Sequence, residues 1–149
     1  MWPLWFIVIF IIPILIWLED KGPIFYSQER IGKNKKVFKV YKFRTMVPDA
    51  EKITGAVWST KDDPRITKIG HLLRKTALDE IPQLLNIIKG EMSFVGPRAE
   101  RPELHDEFVK TIPEFDERLN VTPGLSGLAQ IRGSYDLEPS EKIKFDIEY

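Results

Sequence analysis

The chain has 149 residues, room for one core of useful size, and its Lys plus Arg and Asp plus Glu both total 22, so no overall field draws it to nucleic acid. Zero cysteines exclude disulfides, thiolate metal sites and a thiol nucleophile, and two lone histidines, His71 and His105, argue against a His-rich metal centre. Every charged residue lies after Leu18, so an apolar leader precedes a very polar body.

Trp2 to Leu18 is an unbroken apolar run. As a helix it would reach about 25 Å, short of the roughly 30 Å of hydrocarbon in a bilayer. With no polar stripe for water, the run is expected to meet lipid. Pro13 lies inside it, where a lost hydrogen bond and a clash with the preceding turn predict a bend or break. Trp2, Trp5 and Trp17 suit the interfacial ends. Taken alone, the run fits either a short span or a dip that enters and leaves by one leaflet. It lacks a basic region before it and a small-residue cleavage site after it, so it is expected to stay attached. Arg30, Lys33, Lys35, Lys36, Lys39, Lys42 and Arg44 follow against Glu29 alone, which by the positive-inside bias predicts a cytoplasmic body.

Beyond Gly22-Pro23, the segments Ile24 to Gln28 and Val37 to Phe43 read as a β-hairpin around Gly32-Lys33-Asn34. Ile66, Ile69, Leu72 and Leu73 recur at helical spacing, which predicts an amphipathic helix from about Arg65 to Thr76. A second helix is expected with Asp79 as cap, Pro82 in its first turn, Leu84, Leu85, Ile87 and Ile88 as apolar face, and Gly90 as its end. Ser93 to Val95 reads as a short buried stretch before the Gly96-Pro97-Arg98 turn. Further helices are expected near Pro102 to Lys110, Pro113 to Leu119 and Pro139 to Tyr149, with a Gly-rich loop from Pro123 to Gly133. The body is thus expected to be α+β and mostly helical, with little sheet.

Asp79-Glu80 stands where a helix starts, just after Arg74 and Lys75. The helix dipole and those cations should keep a carboxylate there ionised, able to act as a nucleophile or to hold Mg²⁺. An N-cap Asp followed by a first-turn Glu is the alternative. Adjacent helical residues point about 100° apart, so the pair cannot flank a sugar as two glycosidase acids do. Lys42, Arg44 and Arg98 are candidate phosphate grips, whereas Lys33, Lys35 and Lys36 beside a turn read as solvated charge. Gly124, Ser126 and Gly127 could offer backbone N–H groups to an anion. Asp62-Asp63-Pro64 reads as a turn rather than a metal pair, and His71 as a helix-surface residue.

Read in order, seven blocks closely resemble the bacterial sugar transferases, the monotopic polyprenyl-phosphate phosphoglycosyl transferases. They are Gly22 to Phe25, Gln28 to Gly32, Tyr41 to Met46, Asp63 to Thr67, Leu78 to Leu84, Gly90 to Arg98 and Pro123 to Gln130. The resemblance implies transfer of a phosphosugar from a UDP-sugar to undecaprenyl phosphate, with release of UMP, in the initiation of a surface glycan. It implies Mg²⁺ as cofactor and a ping-pong course. It further implies Asp79 as the nucleophile that becomes a covalent aspartyl phosphosugar, and Glu80 as its acid/base or metal-positioning partner. Arg98 would contact phosphate, Lys42 and Arg44 would line the same pocket, and Gln130 would belong to the substrate-binding set. The expected architecture is a proline-broken re-entrant membrane helix over 1–20 and a small cytoplasmic catalytic domain over 21–149, at the bacterial inner membrane. Members usually have a further stretch before the leader and more helix after the position of Tyr149. Ser134 and Thr122 stand where basic residues are common. A membrane-anchored adaptor and an inactive, trimmed transferase are the alternatives. The acidic excess from Pro102 to Arg118 speaks against a nucleic-acid partner.

Overall fold

A computed structural model describes residues 10–50, 63–133 and 138–149. Within them the chain is α+β and mostly helical, with two small two-stranded sheets. It divides into two units, Met1–Tyr26 with Lys42–Pro82 and Ser27–Tyr41 with Gln83–Tyr149. Trp2, Trp5, Asp62 and Ser134 lie outside the described residues.

In the first unit, helix α1 (Ile12–Asp20) carries Pro13 in its first turn. Phe10 and Ile11 before it are already helical, a π-helical stretch with Ile11 at φ −76° and ψ −48°, so the irregularity expected at Pro13 coincides with a change of helix type, and what precedes Phe10 lies outside the described residues. Among the described residues no helix is long and apolar enough to cross a membrane. Lys21, left-handed at φ 58°, closes α1 by returning its N–H to Trp17 O at 2.8 Å. Ile12 and Ile16 bury one side of α1 with Phe43 and Leu73, and Ile24, Ile69, Leu78 and Ile81 pack around them. Helix α2 (Lys68–Thr76) starts three residues later than its periodicity suggests. Thr67 caps it through the Gly70 N–H, and Arg65 and Ile66 instead form a turn and a bridge to Met46. His71 is exposed on this helix, as expected.

The hairpin pairs β1 (Phe25–Ile31) with β2 (Val37–Phe43), β1 running three residues beyond its expected end to a 3-10 turn at Lys33–Lys35. In the second unit Phe38 and Val40 of β2 form a core with Met92 and Ala99. Helix α3 (Leu84–Ile88) presents Asn86, fully buried, to the edge of β2. Its side-chain oxygen accepts the Tyr41 N–H at 3.2 Å, and its nitrogen donates to Lys39 O at 2.7 Å and to Glu91 Oε2 at 2.8 Å.

Strand β3 (Ser93–Val95) pairs in parallel with β4 (Gly124–Ser126), Ser93 opposite Gly124 and Val95 opposite Ser126. Two expectations fail here. Phe94 and Val95 are exposed at 63% and 44%, so the stretch is not buried, and the Gly-rich segment holds β4 and helix α5 (Leu128–Arg132) rather than a loop. The glycines serve approach: a Cβ on Gly124 would sit 2.1 Å from Gly96 N. Helix α4 (Pro102–Thr111), a 3-10 helix at Pro113–Asn120 and helix α6 (Pro139–Glu148) follow within a residue of expectation at most ends. Buried Arg118 ties the 3-10 helix to α6, reaching Asp146 at 2.9 Å, and lies 4.7 Å over the Phe115 ring of its own element.

Candidate functional site

The chain enters the acidic pair through an unusual turn. Ala77 closes α2 in the left-handed region at φ 55°, donating back to Arg74 O and Leu73 O. That turn leads directly into a 3-10 helix, Leu78–Gln83, whose first turn holds Asp79 and Glu80. Asp79 was expected to cap a longer α-helix. Instead the 3-10 segment carries it, with Pro82 inside, and α3 begins only at Leu84.

Asp79 is buried, 7% exposed. Burial pushes its carboxyl pKa above the ordinary value, and the neighbouring Glu80 carboxylate adds to the rise, while the Lys42 and Arg74 cations draw it down. The net direction is upward, the reverse of what a helix start among cations suggests, because desolvation outweighs both charges. Lys42 Nζ meets Glu80 Oε1 at 2.8 Å, with both side chains mostly buried. The end of β2 thus brings a cation to the acidic pair, and the expected neighbourhood of Lys42, Asp79 and Glu80 is present.

Arg44 takes a different place. Its guanidinium gives Nη1 and Nη2 to the two oxygens of Asp20 at 2.7 and 2.5 Å and Nε to the Pro23 carbonyl, and it is 7% exposed. Its fork grips a protein carboxylate, not an open pocket. Thr45 next to it accepts Arg74 Nε at 2.9 Å, so Arg74 is held beside Asp79. Asp63 accepts Nε and Nη2 of Arg65 at 2.9 and 2.5 Å, which lowers its pKa to about 2 and fills the carboxylate. This is the expected turn, not a metal ligand.

In the second unit Arg98 is half-buried beside a small cleft shared with Glu100, His105 and Arg118, and its carbonyl accepts Arg118 Nη2 at 2.5 Å. Gln130 is exposed on α5. The Gln83 side chain is buried with no acceptor for Nε2, a polar group that residue pattern alone did not single out. Asp20 and Thr45 were also missed, and Arg74 was read only as a cation near the acidic pair. Their partners lie 24 to 29 positions away in the chain, and no local spacing reports such pairs.

Residues 1–149 match the family described as bacterial sugar transferase. A Bacillus subtilis protein provisionally named undecaprenyl-phosphate N-acetylgalactosaminyl 1-phosphate transferase is 50% identical over 136 residues, 91% of this chain and 72% of that protein. The undecaprenyl-phosphate galactose phosphotransferase of Salmonella typhimurium is 38% identical over 162 residues, 96% of this chain and 33% of its own length. Exopolysaccharide production protein ExoY of Sinorhizobium fredii is 42% identical over 149 residues, 91% of this chain and 65% of the relative. The chain therefore spans from about a third to about three quarters of the curated relatives it matches.

Proposed function

Because the chain belongs to the bacterial sugar transferase family, we propose that it moves a phosphosugar from a UDP-sugar to undecaprenyl phosphate through a covalent intermediate on Asp79. The observation that carries this reading is the buried Asp79 carboxylate at the head of a 3-10 helix, beside the Lys42–Glu80 pair.

In the first half-reaction an Asp79 carboxylate oxygen forms a bond to the β-phosphorus of the donor, and the bond from that phosphorus to the bridging oxygen breaks. UMP leaves with the electron pair. In the second, a phosphate oxygen of undecaprenyl phosphate bonds to the same phosphorus and the acyl phosphate bond breaks, restoring the carboxylate. Splitting the transfer lets two anionic substrates visit in turn. Lys42 and Arg74 lie close enough to offset charge around Asp79. Arg98 and Gln130 are proposed as substrate contacts of the second unit.

Asp79 and Glu80 also fit Mg²⁺ as a partial ligand set. That ion takes one or two carboxylates and completes its shell with water and phosphate oxygens. Among the described residues no cluster of three or more acidic or histidine side chains could hold a metal alone, so donor phosphates would complete the shell. When bound, the ion offsets negative charge on the pyrophosphate.

Helix α1 supports a lipid setting. Ile14, Leu15, Trp17 and Leu18 are exposed on the helix whose other side fills the core. Lys21 Nζ lies 3.9 Å over the Trp17 ring, the amphipathic pairing favoured at headgroup depth. We propose that α1 dips into the cytoplasmic leaflet of the bacterial inner membrane, with the polar body on the cytoplasmic face.

A panel of UDP-sugars with undecaprenyl phosphate and Mg²⁺, followed by UMP release, tests the reading. Wild type should turn over one or a few donors, and Asp79→Asn should lose at least about a thousandfold. Mass spectrometry of enzyme quenched with donor alone should find the aspartyl phosphosugar. Equal turnover by the variant would remove Asp79 as nucleophile.

A further inference from the structure

The segment Lys42 to Thr45 makes a different long-range contact at almost every residue. Lys42 pairs with Glu80, Phe43 enters the core beside Ile12 and Ile16, and Thr45 accepts Arg74. Arg44 alone reaches the end of the apolar helix. Both oxygens of Asp20 are occupied by its fork, and Asp20 Oδ1 also accepts the Gly22 N–H at 3.0 Å. Bidentate charge-assisted pairs of this kind fix orientation as well as separation.

Two independent features accompany the fork. Gly22 leaves it room: a Cβ there would stand 2.7 Å from Arg44 Nη1 and 3.0 Å from Cζ. Glu19, the preceding residue, reaches the start of α2 and accepts the Lys68 N–H at 2.7 Å and the Ile69 N–H at 3.1 Å. The last two residues of α1 are thus tied to the strand that supplies Lys42 and to the helix that leads into Asp79. The Arg44 guanidinium also holds the Asp20 carboxyl below the ordinary range.

We infer that Arg44 is a positioning residue that acts through Asp20, setting the register of the apolar helix against the Asp79 element and so governing use of the lipid-borne acceptor rather than the dissolved donor. The inference rests on the proposed transferase reading for its acceptor, and on geometry alone for the clamp.

The experiment compares wild type, Asp20→Asn, Arg44→Gln, the double variant and Gly22→Ala in vesicles containing phosphatidylglycerol. Two readouts separate the possibilities. The first is UMP release in a single turnover without acceptor, set against KM for undecaprenyl phosphate in full turnover. Asp20→Asn should keep the donor step within about twofold and raise the acceptor KM about tenfold, and the double variant should be no worse than the poorer single. Gly22→Ala, which keeps both charges but crowds the fork, should move the same way. If Arg44 instead grips donor phosphate, Arg44→Gln will lose the donor step while Asp20→Asn keeps it, and the inference falls.

The second readout is amide hydrogen exchange over residues 12–22. It should quicken about tenfold in Asp20→Asn and Arg44→Gln alike. Unchanged exchange in Asp20→Asn overturns the clamp. Absence of sugar transfer by the wild type would count against the functional reading, and exchange would still decide the clamp.

Discussion

A carboxylate that attacks phosphorus must be ionised, yet burial holds the Asp79 proton more tightly than water would. Lys42 and Arg74 counter that penalty, which makes them tuners of the nucleophile as well as neighbours. Activity should fall as pH drops through a value above the ordinary carboxylate 3.8. Lys42→Met removes a charge that lowers this pKa, so the acid limb of the kcat/KM profile should move to higher pH. An unmoved limb would show that Lys42 does not act on Asp79. The same physics gives Asp79→Asn a second signature. A raised folded pKa means the ionised form is disfavoured by folding, so above that pKa the neutral variant should melt no lower than wild type while losing turnover.

Elements built on local rules were legible in the sequence. The hairpin strand at Val37 to Phe43, the turn at Asp63-Pro64 and the apolar spacing of Ile69, Leu72 and Leu73 each appear within a residue or a few of where they were expected. What escaped was set by distant partners. The strand pairing of β3 is with β4, some thirty positions on, in a segment read as loop, and the 3-10 segment Leu78–Gln83, with a left-handed alanine before it and a proline inside it, stands where an α-helix was expected. Arg44 was identifiable as a cation but not as the partner of Asp20. Gly70 shows how closely such elements meet, since a Cβ there would lie 2.1 Å from the Thr45 carbonyl oxygen, a backbone atom. Gly70→Ala should therefore cost about 1–3 kcal/mol in denaturant unfolding, whereas in an exposed helix interior the same change stabilises.

At the scale of the whole molecule, each unit keeps its own small core, and the first shares its core with the helix proposed to meet lipid. The two sides of α1 should then answer differently to substitution. Ile16→Ala should destabilise the fold by about 2–5 kcal/mol. Leu15→Ser with Leu18→Ser, on the exposed side, should leave the thermal midpoint nearly unchanged and weaken vesicle cosedimentation by at least about a hundredfold. Retained vesicle binding in that double variant would argue that another surface carries the attachment.

Asn86 has a consequence for how copies of the chain behave toward one another. By taking the Tyr41 N–H and the Lys39 carbonyl, one amide side chain stands in for the neighbour that the rim of β2 would otherwise seek. Two-stranded ribbons with a bare rim are templates for stacking between molecules. Stripped of this plug by Asn86→Ala, the protein should form concentration-dependent oligomers in analytical ultracentrifugation, with the ribbon recruiting the same ribbon from another copy.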